Sequence, residues 1–157
     1  MYNLIQFQQI LQEKQQLLQL FEEETQEMLT CSSELLEEQV RERQKLISLI
    51  EDLDQKLDTL IRHSQDAESI RKAVSGRCSC ESLPEDMEPI CSAAIQVRAI
   101  LSRIRESDLQ AALRLRLEQE RILERIKSAN QGVGAKAARF YSTADSSKSA
   151  RSRLGNA

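Results

Sequence analysis

The chain has a single histidine, His63, and four cysteines, Cys31, Cys78, Cys80 and Cys91. A nucleophile–base–acid relay needs a histidine held by a third group. His63 instead lies in the polar run His63-Ser64-Gln65-Asp66, which reads as surface. Cys78-Ser79-Cys80 has one residue between its thiols, where a redox pair or a zinc half-site has two. Cys91 adds a third thiol beside the same linker, and Cys31 a fourth if the helices fold back. Ordinary thiols are the stronger reading of this set, and a metal site the weaker. The carboxylates Glu34/Glu38, Glu38/Glu42 and Glu120/Glu124 are four apart, as on a solvated helix face. A di-iron bundle needs Glu-x-x-His on facing helices, which one histidine cannot supply. Gly132-Val133-Gly134-Ala135-Lys136 looks like a phosphate loop only in its glycines. It lacks the spacing, the Lys-Ser/Thr pair and a preceding strand. No catalytic residue, cofactor or metal ligand is expected, and an enzyme is the weakest functional class.

The elements that would position these residues are helices. Glycine and proline number four and two, and aromatic residues are 3% of the chain. Gln, Glu, Arg, Leu and Ala, all good helix formers, dominate. The expected fold is all-α: an elongated, coiled-coil-like bundle of three long antiparallel helices over 1–130, followed by a flexible, disordered basic tail, 131–157. Leu4, Phe7, Leu11, Leu18, Phe21 and Met28 recur at threes and fours and mark a first helix over 2–29, with Lys14 and Thr25 as interruptions. Thr30-Cys31-Ser32-Ser33 reads as a turn whose Ser or Thr can cap the next helix; a continuous helix to residue 75 is the alternative. The second helix, 34–75, carries Leu36, Val40, Ile47, Ile50, Leu57 and Ile61, broadened by Leu46, Leu49, Leu53 and Leu60. Its apolar arc is too wide for one partner. Gly76 suits a left-handed helix end, and residues 76–89, with both prolines, form a linker.

A third helix, 90–129, carries Ile90, Ala94, Val97, Leu101, Ile104, Leu115, Ile122 and Ile126. Ser107 with Gln110 three residues on resembles a capping box, which suggests a kink or break near 107. Leu109, Leu113, Leu117 and Leu123 form a second stripe on a rotated face, so part of this helix is apolar on more than one side. Asn130-Gln131-Gly132-Val133-Gly134 reads as the helix stop, with a short helical turn at 135–141 anchored by Phe140 and Tyr141.

Charge is unevenly spread around a net −3. Residues 1–76 carry 15 acidic and 8 basic side chains, and residues 131–157 one acidic and five basic. The acidic front argues against broad nucleic-acid binding. The tail's Lys136, Arg139, Lys148, Arg151 and Arg153 leave a nucleic-acid-associated regulator as a lesser alternative. The first residues lack a basic region followed by an apolar run, so no signal peptide is expected. Charges interrupt every apolar stripe, so no transmembrane segment is expected either. A cytoplasmic chain with reduced thiols is the default.

Three slender helices cannot hide all of these aliphatic side chains in one seam. The surplus is expected to meet a partner helix or a second copy of the chain. The layout resembles the FlgN/FliT-like flagellar export chaperones. A first helix ends in EEETQEMLTCSSELL, a second contains ERQKLISLIEDLDQKL, and a linker and a long last helix lead into GVGAKAARFY. Glu34, Leu35, Leu36, Glu42, Arg43, Leu46, Ile47 and Ile50 look similar to the start of that family's second helix, and the likeness covers roughly 1–141. The cysteine-bearing linker has no counterpart. The resemblance implies a cytoplasmic, non-enzymatic chaperone that holds the terminal helical segment of a flagellar hook-associated or cap protein before export. It places the cargo surface on Leu109, Leu113, Leu117, Leu123, Ile126, Phe140 and Tyr141. A structural coiled-coil homo-oligomeric adaptor, homodimeric through the 36–61 stripe, is the other reading.

Overall fold

The computed structural model describes the backbone of residues 2–154, and the side chains of residues 4–134 together with Lys136, Ala138 and Arg139. The chain forms four helices: α1 (Tyr2–Thr30), α2 (Leu36–Arg62), α3 (Ala67–Ser75) and α4 (Glu88–Leu154). Two single 3-10 turns, Cys80–Ser82 and Glu85–Met87, lie between α3 and α4, and the second runs straight into α4 as one bent element. The chain divides into two units, Met1–Leu115 and Arg116–Ala157.

This corrects the expected three-helix coiled coil with a disordered tail in three places. The segment 34–75 is two helices, because the polar run after Ile61 captures the end of α2. The His63 ring lies 2.7 Å from the Thr59 carbonyl through Nδ1, and the Ser64 hydroxyl donates to the Leu60 carbonyl at 2.7 Å. Side chains that bond the last carbonyls compete with further helix. At the other end, α4 does not stop at Asn130; it is helical through the glycines and on to Leu154. Ser107 makes no cap: its hydroxyl accepts a hydrogen bond from Gln26 Nε2 at 2.9 Å, and α4 runs through it unbroken.

In the first unit the core is a ladder of three clusters along α1. Phe7 and Leu11 pack with Leu57 and Ile61 of α2, Ile70 and Ala73 of α3, and Met87, Ile90, Cys91 and Ala94. Leu18 and Phe21 pack with Val97, Ile100 and Ile104. Met28 packs with Leu36 and Ala111. The order of these contacts means that α2 runs antiparallel to α1 and that α4 runs in the same direction as α1. The end of α2 and the start of α4 therefore lie at one end of the ladder, and α3 and the linker bridge them over Phe7.

The interruptions in the α1 stripe are seam positions with polar partners. Lys14 Nζ is 2.5 Å from Asp54 Oδ1, with only 15% of the lysine side chain exposed. Thr25 is fully buried and donates to the Phe21 carbonyl at 2.7 Å. In α2, Arg43 occupies a seam position: its guanidinium stacks on the Phe21 ring at 4.5 Å, donates to Met28 Sδ at 3.1 Å and pairs with Asp108 of α4. The turn after α1 is held from α4 as well. Arg114 donates to the Met28 carbonyl at 2.5 Å and to the Cys31 carbonyl, satisfying helix-end carbonyls that have no partner within α1. No side-chain cap starts α2; in place of the expected Ser or Thr cap, the Leu35 and Leu36 amides donate to the Ser32 and Ser33 carbonyls at 3.1 and 3.4 Å.

Gly76 ends α3 with φ +61°, and a Cβ there would lie 2.9 Å from the backbone carbon and oxygen of Ala94. Gly76→Ala therefore meets both a left-handed backbone and a rigid neighbour. It is expected to destabilise the first unit by roughly 2 kcal/mol or more, read as a lower midpoint in chemical denaturation.

Glu24 is held protonated to higher pH than its ordinary 4.5, first by burial and then by the charges of Glu42, Glu27 and Glu23. Its buried Oε2 has no hydrogen-bond partner among the described residues. The folded chain thus holds this proton more tightly than the unfolded chain. The associated stability is present at low pH and is lost as pH rises from 4.5 through the raised value. Glu24→Gln is expected to flatten that fall, measured by thermal melts across pH.

Candidate functional site

The chemistry-bearing side chains do not converge. His63 is exposed, and its ring is engaged by its own helix. Glu37, Glu38 and Glu42 line a solvated face of α2, with Arg41 and Lys45 among them and Glu34 in the turn before it. Glu37 pairs with Arg41, and Glu42 with Lys45. The Gly132–Lys136 segment is helix, not a loop. Among the described residues no three His, Cys, Asp or Glu side chains are grouped to hold a metal ion. An open groove of about 660 Å³ between α1 and α2 is lined by Gln6, Gln9, Ile10, Asp52, Gln55 and Leu60, with other polar side chains. No helix among the described residues is long and apolar enough to cross a membrane.

The cysteines separate. Cys31 lies at the α1–α2 turn beside Arg114, whose Nη1 is 3.8 Å from its sulfur. Cys80 and Cys91 sulfurs are 2.7 Å apart, and the Cys91 sulfur is 3.7 Å from the Cys78 carbonyl. Burial first, and then the neighbouring Cys80 thiol, push the Cys91 thiol up to about 11.

The aliphatic residues divide between the two units. In the first, α4 is covered along Val97, Ile100, Ile104 and Ala111, while Leu109 and Leu113, one turn apart, stand 73% and 58% exposed. In the second, Leu117, Ile122, Leu123, Ile126 and Val133 are each at least half exposed. Every residue from Gln119 to Gly134 is exposed. At 100° per residue Ile122, Ile126, Ala129 and Val133 share one face, spaced four, three and four apart. Leu117 and Leu123 lie on other sides of the helix. Of the sequence-derived partner residues, Leu109, Leu113, Leu117, Leu123 and Ile126 are thus exposed side chains of α4. Phe140 and Tyr141 lie outside the described side chains, as do Lys148, Arg151 and Arg153. Val133 is the residue that sequence reasoning passed over, because its flanking glycines read as a stop. Its spacing of seven from Ile126 was the available signal.

Ion pairs within the second unit support the helix: Arg116 with Glu120 at 3.6 Å and Arg121 with Glu118 at 3.3 Å. Such pairs contribute only about 0.2–0.5 kcal/mol each. No family model, curated protein or solved structure matches the chain.

An added Cβ at Gly132 or Gly134 meets nothing within 4 Å. The double change Gly132→Ala, Gly134→Ala should raise helix content in far-UV circular dichroism. The gain is about 1 kcal/mol of helix propensity per site.

Proposed function

We propose that this chain is a non-enzymatic, cytoplasmic helix-binding chaperone whose α4 receives an amphipathic helix of a client protein. The observation that carries the reading is the set of exposed aliphatic side chains on several sides of α4, with nothing covering them among the described residues of the second unit. A helix this long is marginal on propensity alone and is ordinarily stabilised by packing of its apolar face. Each large aliphatic side chain moved from water into a helix–helix contact contributes about 1.5–3 kcal/mol before association costs. A client helix with its own apolar stripe supplies that contact, shields itself from self-association, and leaves again without bond chemistry. The layout likeness to FlgN/FliT-like export chaperones supports a narrower form, in which the client is the terminal helical segment of a flagellar hook-associated or cap protein held before export.

A second copy of the chain is the competing occupant. The four-three-four spacing of Ile122, Ile126, Ala129 and Val133 favours it, since that is the spacing of a coiled-coil seam. The 36–61 stripe is a poorer dimer surface, because Leu53, Leu57 and Ile61 are buried within the first unit.

Titration of fluorescent peptides from the terminal helices of hook-associated and cap proteins into the full chain tests the reading. Leu117→Asp is expected to weaken binding at least about tenfold while helix content stays near wild type. An unchanged dissociation constant would move the site elsewhere. A dimer that persists on dilution and takes up no helical peptide would replace the client with a second copy.

A further inference from the structure

We propose that Cys80 and Cys91 are a thiol–disulfide pair, and that their oxidation fastens the linker between α3 and α4 to the first turn of α4. Cys91 sits in that first turn, fully buried against the Phe7–Leu57–Ile90 cluster. Cys80 begins the 3-10 turn Cys80–Ser82 and is half-buried. The linker is not loose where it meets α4: the Leu83 amide donates to the Cys80 carbonyl at 3.2 Å, and the Met87 amide to the Pro84 carbonyl at 3.0 Å. These turns bring two thiols, eleven residues apart in sequence, to 2.7 Å. Closure to the about 2.05 Å of a disulfide is a small movement at the tip of one side chain.

Exposure sets the order of events. Cys80 is half-buried, whereas Cys91 is fully enclosed, so a small-molecule disulfide meets Cys80 first. The Cys80 thiolate attacks one sulfur of the small disulfide, forming a mixed disulfide and releasing one small thiolate. The Cys91 sulfur then attacks that of Cys80, expelling the second small thiolate, which leaves carrying the Cys91 proton. Two protein thiols are oxidised to one disulfide, and one small disulfide is reduced to two thiols. Burial, which raises the Cys91 thiol to about 11, makes it a poor first nucleophile, and only the mixed disulfide held beside it brings it into reaction. Cys78 is also half-buried, but it presents its carbonyl, not its sulfur, to Cys91.

The full chain incubated with oxidised glutathione tests this. Free thiols should fall from four to two. A glutamate-specific protease cuts after Glu81 and Glu85 and so separates Cys80 from Cys91; without reductant these two peptides should remain joined. The link should survive in Cys78→Ser and be absent in Cys80→Ser, a one-atom change at the half-buried edge of the Phe7–Ile90 cluster. The oxidised chain should melt roughly 5–10 °C above the reduced chain. Four remaining free thiols, a lasting glutathione adduct, or a link involving Cys78 would each overturn the pairing. A linked chain that melts no higher than the reduced one would overturn the fastening.

Discussion

Arg43 is where three helices are tied together. Its guanidinium lies on the Phe21 ring of α1, reaches Met28 Sδ near the end of that helix, and pairs with Asp108 of α4. An arginine in a seam is costly to desolvate, and a buried pair is weak evidence for net stability. Removing one partner is another matter, since about 3–5 kcal/mol can be lost when a buried charge is left alone. Where long helices pack mainly through aliphatic side chains, little in the apolar contacts prevents sliding by a turn. Lys14 with Asp54 and Arg43 with Asp108 act at separate levels of the ladder, and a slip of one turn breaks both. Polar seam residues that choose alignment at some cost in stability are a known device of coiled coils.

That alignment decides what α4 leaves uncovered. With Ala111 and Ile104 set against α1, the rotation of α4 is determined, and Leu109 and Leu113 must face away from the ladder. Arg114, committed to the Met28 and Cys31 carbonyls, reinforces the same rotation. The proposed client-binding role thus rests on packing inside the first unit as much as on the exposed leucines themselves.

The first helix is legible in the sequence because its stripe is nearly all apolar, and Phe7, Leu11, Leu18, Phe21 and Met28 are all buried. Its interruptions were harder to read. Lys14 and Thr25 occupy seam positions, as does Arg43 in α2, and a search for apolar periodicity discards them. The break at 63–66 was visible only as a weakening of pattern, since His63 and Ser64 act through carbonyls that no pattern displays. The glycines near residue 132 misled in the opposite direction. Glycine is a poor helix residue by about 1 kcal/mol, but it forbids nothing, and neighbours such as Ala129, Ala135 and Lys136 favour helix. The exposed aliphatic residues of the second unit were half visible: they were countable, but that every side of the helix from Gln119 to Gly134 is exposed was not.

The buried side chains among the described residues all precede Arg116. Cooperativity comes from shared burial, so the two units need not melt as one. Amide exchange would then be slow along the ladder and fast over the later turns of α4, where each hydrogen bond opens against little more than local helix propensity. A single unfolding free energy would describe the first 115 residues and misstate the rest. The segment proposed to receive a client is thus the one whose order a client has most to add to.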